Sequence, residues 1–252
     1  MEAKHWDAFA DQKSYFDRVH SPFGDPTTKR RFMRLVMPFF DRRKDTIDLG
    51  TGIGNLIPHL AESFKSVTAV DFSPEMVDFC RSHHQASNLS LDVADIRNLR
   101  RFYGSFDVAF AVNSMLGPTR SDLRRQFAEA FRTLRENGTL IAVLPSMESE
   151  IHVAMRVFEE HMRRHHDERA ARAEAAAVIG KHRLDFMLGR FRSSQGDQKW
   201  CYRFEVMDLL AEVGFASTSI DRLRYPWSSL PNVEMGFARH PGPWDWFVVA
   251  KR

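Results

Sequence analysis

The residues with the clearest chemical potential lie in one stretch, Asp48-Leu-Gly-Thr-Gly-Ile-Gly-Asn55. Gly50, Gly52 and Gly54 alternate there. Glycine reaches positive φ without steric cost and lets the backbone come close to a bulky ligand. The helix expected next offers free backbone N–H groups at its start. About twenty residues farther on, Asp71 ends the run Val67-Thr-Ala-Val70. A carboxylate at that spacing can accept hydrogen bonds from both hydroxyls of a ribose. Together these features point to nucleoside binding without choosing the nucleoside. A dinucleotide loop wants G-x-G-x-x-G, but its third glycine position is Asn55 here, and the third glycine falls one residue early.

The elements that must hold these residues follow from the apolar pattern. Thr46–Leu49 reads as a first strand, Val67–Val70 as a second and Leu89–Val93 as a third. Phe106–Val112 is almost wholly apolar, as a strand buried on both faces should be. Asn137-Gly138 turns the chain into a fifth strand, Thr139–Leu144, and two more are expected at Ser217–Leu223 and Trp246–Ala250. Helices fill the intervals: 55–64, one opened by Ser73-Pro74, 122–134 and 204–213. Strand–helix alternation at this spacing predicts an α/β fold with a doubly wound, mostly parallel sheet of seven strands. In such sheets ligands bind at the carboxyl ends of the strands, where the glycine loop and Asp71 would lie.

The loop resembles the first signature of class I S-adenosylmethionine-dependent methyltransferases, in which an acid ends strand one and a GxGxG loop follows. The resemblance covers about residues 46–145, with weaker agreement to 252. Leu91-Asp-Val-Ala-Asp95-Ile96 is similar to the family segment whose acid receives the adenine amino group and whose next backbone N–H meets the ring. That implies these roles for Asp95 and Ile96, with Asp92 the competing acid. Phe72 and Met76 are candidates for the apolar faces around adenine. Asn113 and Ser114, just past strand four, would border the methionine moiety and the substrate. Asn113-Ser-Met-Leu116 differs from the Asn/Asp-Pro-Pro-aromatic tetrad of the amino-methylating nucleic-acid branches. The cofactor-binding set implied by the resemblance is Tyr15, Asp48, Gly50, Thr51, Gly52, Asp71, Phe72, Met76, Asp95, Ile96 and Asn113. Tyr15 enters as the aromatic residue of an N-terminal lid helix over 5–19, where Trp6 and Phe9 compete with it.

The resemblance implies S-adenosylmethionine as cofactor and methyl transfer by direct in-line displacement. A small-molecule acceptor is the favoured partner; an RNA substrate, a non-catalytic regulatory subunit and a homodimer stay open. The catalytic residue is left open among Glu148, His152 and His5. The expected division is a helical lid over 1–45, in which Thr27 and Thr28 cap a helix running to about Phe40. A cofactor-binding core follows over 46–146, then a helical cap over 147–195 and the rest of the core sheet over 196–252. The cap is rich in Ala, Arg, Glu and His, with i,i+4 pairs Glu159/Arg163, Glu160/Arg164 and Glu168/Arg172. His161 and His165 share a helix face that could bind a metal, but no third ligand is evident, and no metal is expected.

Composition bounds the rest. A formal net charge of +3 over 252 residues is too small to argue for nucleic acid by itself. Lys29-Arg-Arg31 and Arg42-Arg-Lys44 are modest basic clusters. The two cysteines, Cys80 and Cys201, stand far apart and outside any CxxC arrangement, which argues against a disulfide framework. Residues 1–11 are polar and lack the apolar stretch of a signal peptide. With no long apolar run, a cytoplasmic protein is the expectation.

Overall fold

The computed structural model describes residues 21–180, 183–193, 196–230 and 240–252. Its centre is a seven-stranded sheet of order β3-β2-β1-β4-β5-β10-β9. The strands are β1 (Asp45–Leu49), β2 (Ser66–Asp71), β3 (Leu89–Val93), β4 (Phe106–Val112), β5 (Leu134–Pro145), β9 (Ser217–Arg224) and β10 (Trp244–Lys251). The first five run parallel, and β10 lies antiparallel to both β5 and β9. Strand order reverses between β1 and β4, the switch point where a crevice opens between loops departing in opposite directions.

Alternating side chains of the central strands feed two cores. Ile47 and Leu49 of β1 and Ala109 and Ala111 of β4 pack against helices α4 (Arg120–Thr133) and α7 (Arg203–Val213). Val67, Val108, Phe110, Ile141 and Val143 pack on the opposite face against α1 (Pro26–Val36) and α2 (Ile57–Ser63). Helix α3 (Pro74–His83) sends Cys80 against Ala69 and Ile57. Ser73 caps α3 by accepting from the Met76 N–H, and Pro74 stands at its first position, as the Ser-Pro pair predicts. Thr119 and Asp122 close a capping box on α4.

Three local expectations need correction. Helix α1 is capped by Asp25, which accepts from the Thr28 N–H at 2.7 Å and its hydroxyl at 2.9 Å; Thr27 and Thr28 lie inside the helix. It stops at Val36 and tightens into a 3₁₀ turn over Met37–Phe39, because the ring of Pro38 cannot continue an α-helical ladder. In the region after β5, α5 (Met147–His165) and α6 (Glu168–Val178) are helical as expected. They are followed, however, by a small antiparallel sheet of β6 (Leu184–Asp185), β7 (Arg190–Ser193) and β8 (Gly196–Lys199). Glu159 pairs with Arg156, and Arg163 turns to Glu160, which it shares with Arg164. The lid helix over 5–19 lies outside the described residues.

Val153, Val157 and Ala175 of the α5–α6 hairpin pack against Trp227 and Leu230 of the connection between β9 and β10. Among the described residues, His152 Nε2 meets the Pro241 carbonyl at 2.9 Å, and within the connection Trp227 Nε1 donates to the His240 carbonyl at 3.0 Å. The inserted helices thus cover the carboxyl edge of the sheet beside β5 and β10.

Candidate functional site

A cleft of about 990 Å³, counted out to its open mouth, lies at the switch point. Its wall contains Gly50, Gly52, Asp71, Phe72, Met76, Asp95, Ile96 and Asn113. Four segments from 50 to 113, expected from spacing and from the family resemblance, therefore meet around one space. Tyr15 lies outside the described residues. Asp48 and Thr51 stand behind the loop and do not line the cleft.

The loop is tied to its neighbours strand by strand. The N–H groups of Gly50 and Thr51 donate to the Val70 carbonyl at 2.8 and 3.0 Å. Gly50 has φ +74, and a Cβ there would stand 2.4 Å from the Cβ of Ser114. Only glycine combines that left-handed backbone with so close an approach. Ser114 completes the seam by donating its hydroxyl to the Leu49 carbonyl at 2.5 Å.

Asp71 ends β2 and is 6% exposed. Its Oδ2 accepts from the Gly52 N–H at 2.9 Å and its Oδ1 from the Ser73 N–H at 3.0 Å. The carboxylate thereby fixes the loop and the start of α3. Behind it, Asp48 is 3% exposed and accepts from the Thr51 hydroxyl at 2.8 Å. Burial pushes the Asp48 carboxyl up to about 7, against the Thr51 hydrogen bond and with the nearby Asp71 charge adding to the rise. Asp48 and Thr51 brace the loop from beneath.

Asp95 reaches the cleft together with a residue that spacing did not single out. Arg97 forks onto it: Nε lies 3.0 Å from both carboxylate oxygens, and a terminal nitrogen lies 2.6 Å from Oδ2. The Arg97 N–H also donates to Oδ1 at 2.8 Å. Burial of Asp95 opposes its charge, but these bonds outweigh burial and hold its pKa below the usual range. The competing Asp92 pairs with Arg101 at 3.3 Å instead and is absent from the cleft wall.

On the far wall, Asn113 has φ 51 and leads into a second polar group. Its Nδ2 donates to Asp245 Oδ2 at 3.3 Å, and the buried Tyr225 hydroxyl donates to the same oxygen at 2.7 Å. Burial, reinforced by Asp245, pushes the Tyr225 phenol well above its ordinary pKa. Glu150, in the first turn of α5, lies close enough to Asp245 to feel its charge. Burial first, then the Asp245 charge, pushes its carboxyl up to about 7. The positive end of α5 would lower it, so desolvation wins. Among the described residues Glu150 makes no ion pair or hydrogen bond that would hold it in the charged form.

Of the candidate bases, Glu148 accepts from the Arg203 N–H at 2.9 Å and so anchors the start of α7. His152 packs between Trp227 and Trp244, at ring distances of 5.9 and 5.1 Å. Burial, followed by the charges of Arg156, Arg222 and Arg224, lowers its pKa. His5 lies outside the described residues. His161 pairs with Glu174 of α6. Glu150 was missed because its environment comes from Asp245, far along the chain. Gln126 was missed too, although it left a signal: a polar residue on the face Leu123–Phe127–Ala130 of α4.

Residues 47–138 match a family described as the methyltransferase domain. Over 100 residues the chain is 37% identical to a malonyl-[acyl-carrier protein] O-methyltransferase of Hahella chejuensis, covering 39% of this chain and 35% of that protein. Over 133 residues it is 32% identical to YqeM of Bacillus subtilis, a protein assigned provisionally as a methyltransferase, covering 51% of each. The chain thus spans from a third to a half of the length of these curated relatives. A solved S-adenosylmethionine-dependent methyltransferase from Mesorhizobium loti superposes with a TM-score of 0.60 at 14% identity, over 94% of this chain and 100% of that one. Residues 47–138 thus match a methyltransferase domain, and the seven-stranded sheet that carries the glycine cradle and the three acids has the fold of a solved S-adenosylmethionine-dependent methyltransferase.

Proposed function

We propose that the chain transfers a methyl group from S-adenosylmethionine to a small-molecule acceptor by in-line displacement. The carrying observation is that Gly50, Gly52, Asp71, Asp95 and Asn113 line one cleft at the switch point, and that Asn113 also bonds Asp245, the acceptor for Tyr225. The cradle fits the cofactor, since Gly50 and Gly52 leave room for it and Asp71 and Asp95 present oxygens to ribose and adenine. Phe72 and Met76 would flank the base, Ile96 would meet its ring through the backbone, and Asn113 would border the methionine end. When bound, S-adenosylmethionine supplies a methyl group already activated by its positive sulfur.

The protein's own tasks are then alignment, exclusion of water and handling of a proton. Alignment of two reactants is worth on the order of 7–11 kcal/mol in well-oriented systems. The α5–α6 hairpin, which packs on Trp227 and Leu230 and meets the Pro241 carbonyl through His152, would keep water from the acceptor side. Glu150, with a pKa of about 7, is suited to take a proton from an acceptor oxygen, nitrogen or carbon acid near neutral pH. The small acceptor is supported by the aromatic surroundings of the far wall, where Tyr225 and Trp244 are buried beside Asp245.

The test is incubation with methyl-labelled S-adenosylmethionine and parallel sets of acceptors: phenols, amines, carboxylic acids and total tRNA. Label in a small product supports the reading. Label in tRNA alone overturns the acceptor class.

A further inference from the structure

The geometry points to Gln126 as the residue that reads the N7 edge of the cofactor's adenine. This rests on the proposed cofactor and goes beyond the acids already discussed. Gln126 is 7% exposed, yet it lies in the cleft wall. Its Oε1 accepts from the Gly117 N–H at 3.3 Å. Because that partner is a donor, the orientation of the amide is fixed: the oxygen faces Gly117 and the NH₂ is left over. No hydrogen bond to that NH₂ is made among the described residues, and the group is not sealed from solvent although the residue as a whole is buried. The cleft is the space available to match it.

The neighbours sharpen what it would bind. Asp122 lines the same wall, but its Oδ2 is held by the N–H and hydroxyl of Thr119, at 3.2 and 2.5 Å. Asp95 is forked by Arg97, so part of its capacity to accept from an amino group is taken. Adenine offers a donor at N6 and ring acceptors at N1, N3 and N7. With Asp95 toward N6 and the Ile96 N–H toward the ring at N1, the acceptor on the other side of N6 is N7. A leftover amide donor in the same cleft wall as Asp95 and Ile96 has the polarity to meet it. Gly117 belongs to this device as well: a Cβ there would stand 2.5 Å from the Asp122 side chain and 3.2 Å from Gln126 Oε1.

The experiment uses calorimetric binding of two probes, S-adenosylhomocysteine and its 7-deaza counterpart, S-tubercidinylhomocysteine. The wild-type protein is compared with Gln126→Glu, which keeps the acceptor for Gly117 and loses the donor, and with Gln126→Leu. Wild type is expected to bind the 7-deaza compound roughly five- to tenfold more weakly, the loss of one hydrogen bond. Each variant is expected to bind the two probes within about twofold of each other. Equal affinity of wild type for both probes overturns the proposal, as does a preference that persists in either variant. Failure of wild type to bind S-adenosylhomocysteine at all would instead remove the methyltransferase reading on which the inference rests.

Discussion

Replacing Asp71 by alanine separates what its carboxylate does for the fold from what it does for the ligand. In the structure its two oxygens hold the N–H groups of Gly52 and Ser73, at 2.9 and 3.0 Å, in a site 6% exposed. Alanine leaves both donors without that acceptor. At about 1–3 kcal/mol for a buried unmatched group, with water able to enter from the cleft side, the expected loss is about 2–4 kcal/mol. For a chain of this size that is a fall in Tm of roughly 5–12 °C. Binding loses the acceptor of the ribose hydroxyls in addition, about 1–3 kcal/mol, or between fivefold and 150-fold in Kd. Asp71→Asn keeps one acceptor oxygen, so it should retain more of the Tm than alanine while still losing ribose affinity. The assays are thermal unfolding and calorimetric titration with S-adenosylhomocysteine below each variant's unfolding range. A folded Asp71→Ala protein that binds with wild-type affinity would refute the ribose assignment. An unchanged Tm would refute the bracing role.

Other perturbations read other parts of the site. Gly50→Ala places a Cβ 2.4 Å from Ser114 at φ +74, so binding should fall at least tenfold with a loss of about 1–3 kcal/mol in stability, measured by the same two assays. Glu150 has a folded pKa of about 7 against an ordinary value of 4.5. The folded state holds the proton longer, so wild-type stability declines as pH rises from about 4.5 to about 7 and stays lower above it. Glu150→Gln should therefore have a Tm advantage that is small at pH 5 and larger at pH 8; an advantage independent of pH would contradict the burial argument. Tyr225→Phe removes a 2.7 Å donor from Asp245 and should cost about 1–2 kcal/mol in chemical denaturation, leaving S-adenosylhomocysteine affinity within about threefold, because Asn113 still lies between that group and the cleft.

Much of this site was readable along the chain because its signals are local. The glycine alternation, Asp71 and the Ser73-Pro74 helix start each depend on a few adjacent residues, and the structure brings them to one edge of the sheet. The sheet was readable because β4 is apolar on both faces, which periodicity exposes directly. What escaped depends on partners distant in sequence or on short polar elements. Glu150 looks like any helix acid until Asp245 and the surrounding burial act on it. The strands β6, β7 and β8 span two to four residues each and carry little apolar alternation, so the segment read as helix alone. Asp48 shows the reverse case: its place in the motif was legible, but the motif could not say that the carboxyl sits behind the loop, bonded to Thr51. Arg97 follows Asp95 by two residues, and an Asp-x-Arg pair could have signalled the fork that now occupies it.

The central claim is that the cleft between β1 and β4 binds S-adenosylmethionine through Asp71, Asp95 and the glycine loop. Calorimetric titration of the purified protein with S-adenosylhomocysteine and, separately, with NAD tests it most directly. The structure predicts one site per chain for S-adenosylhomocysteine, abolished or strongly weakened in Asp71→Ala, and no comparable response to NAD. Tight NAD binding with no heat from S-adenosylhomocysteine would contradict it.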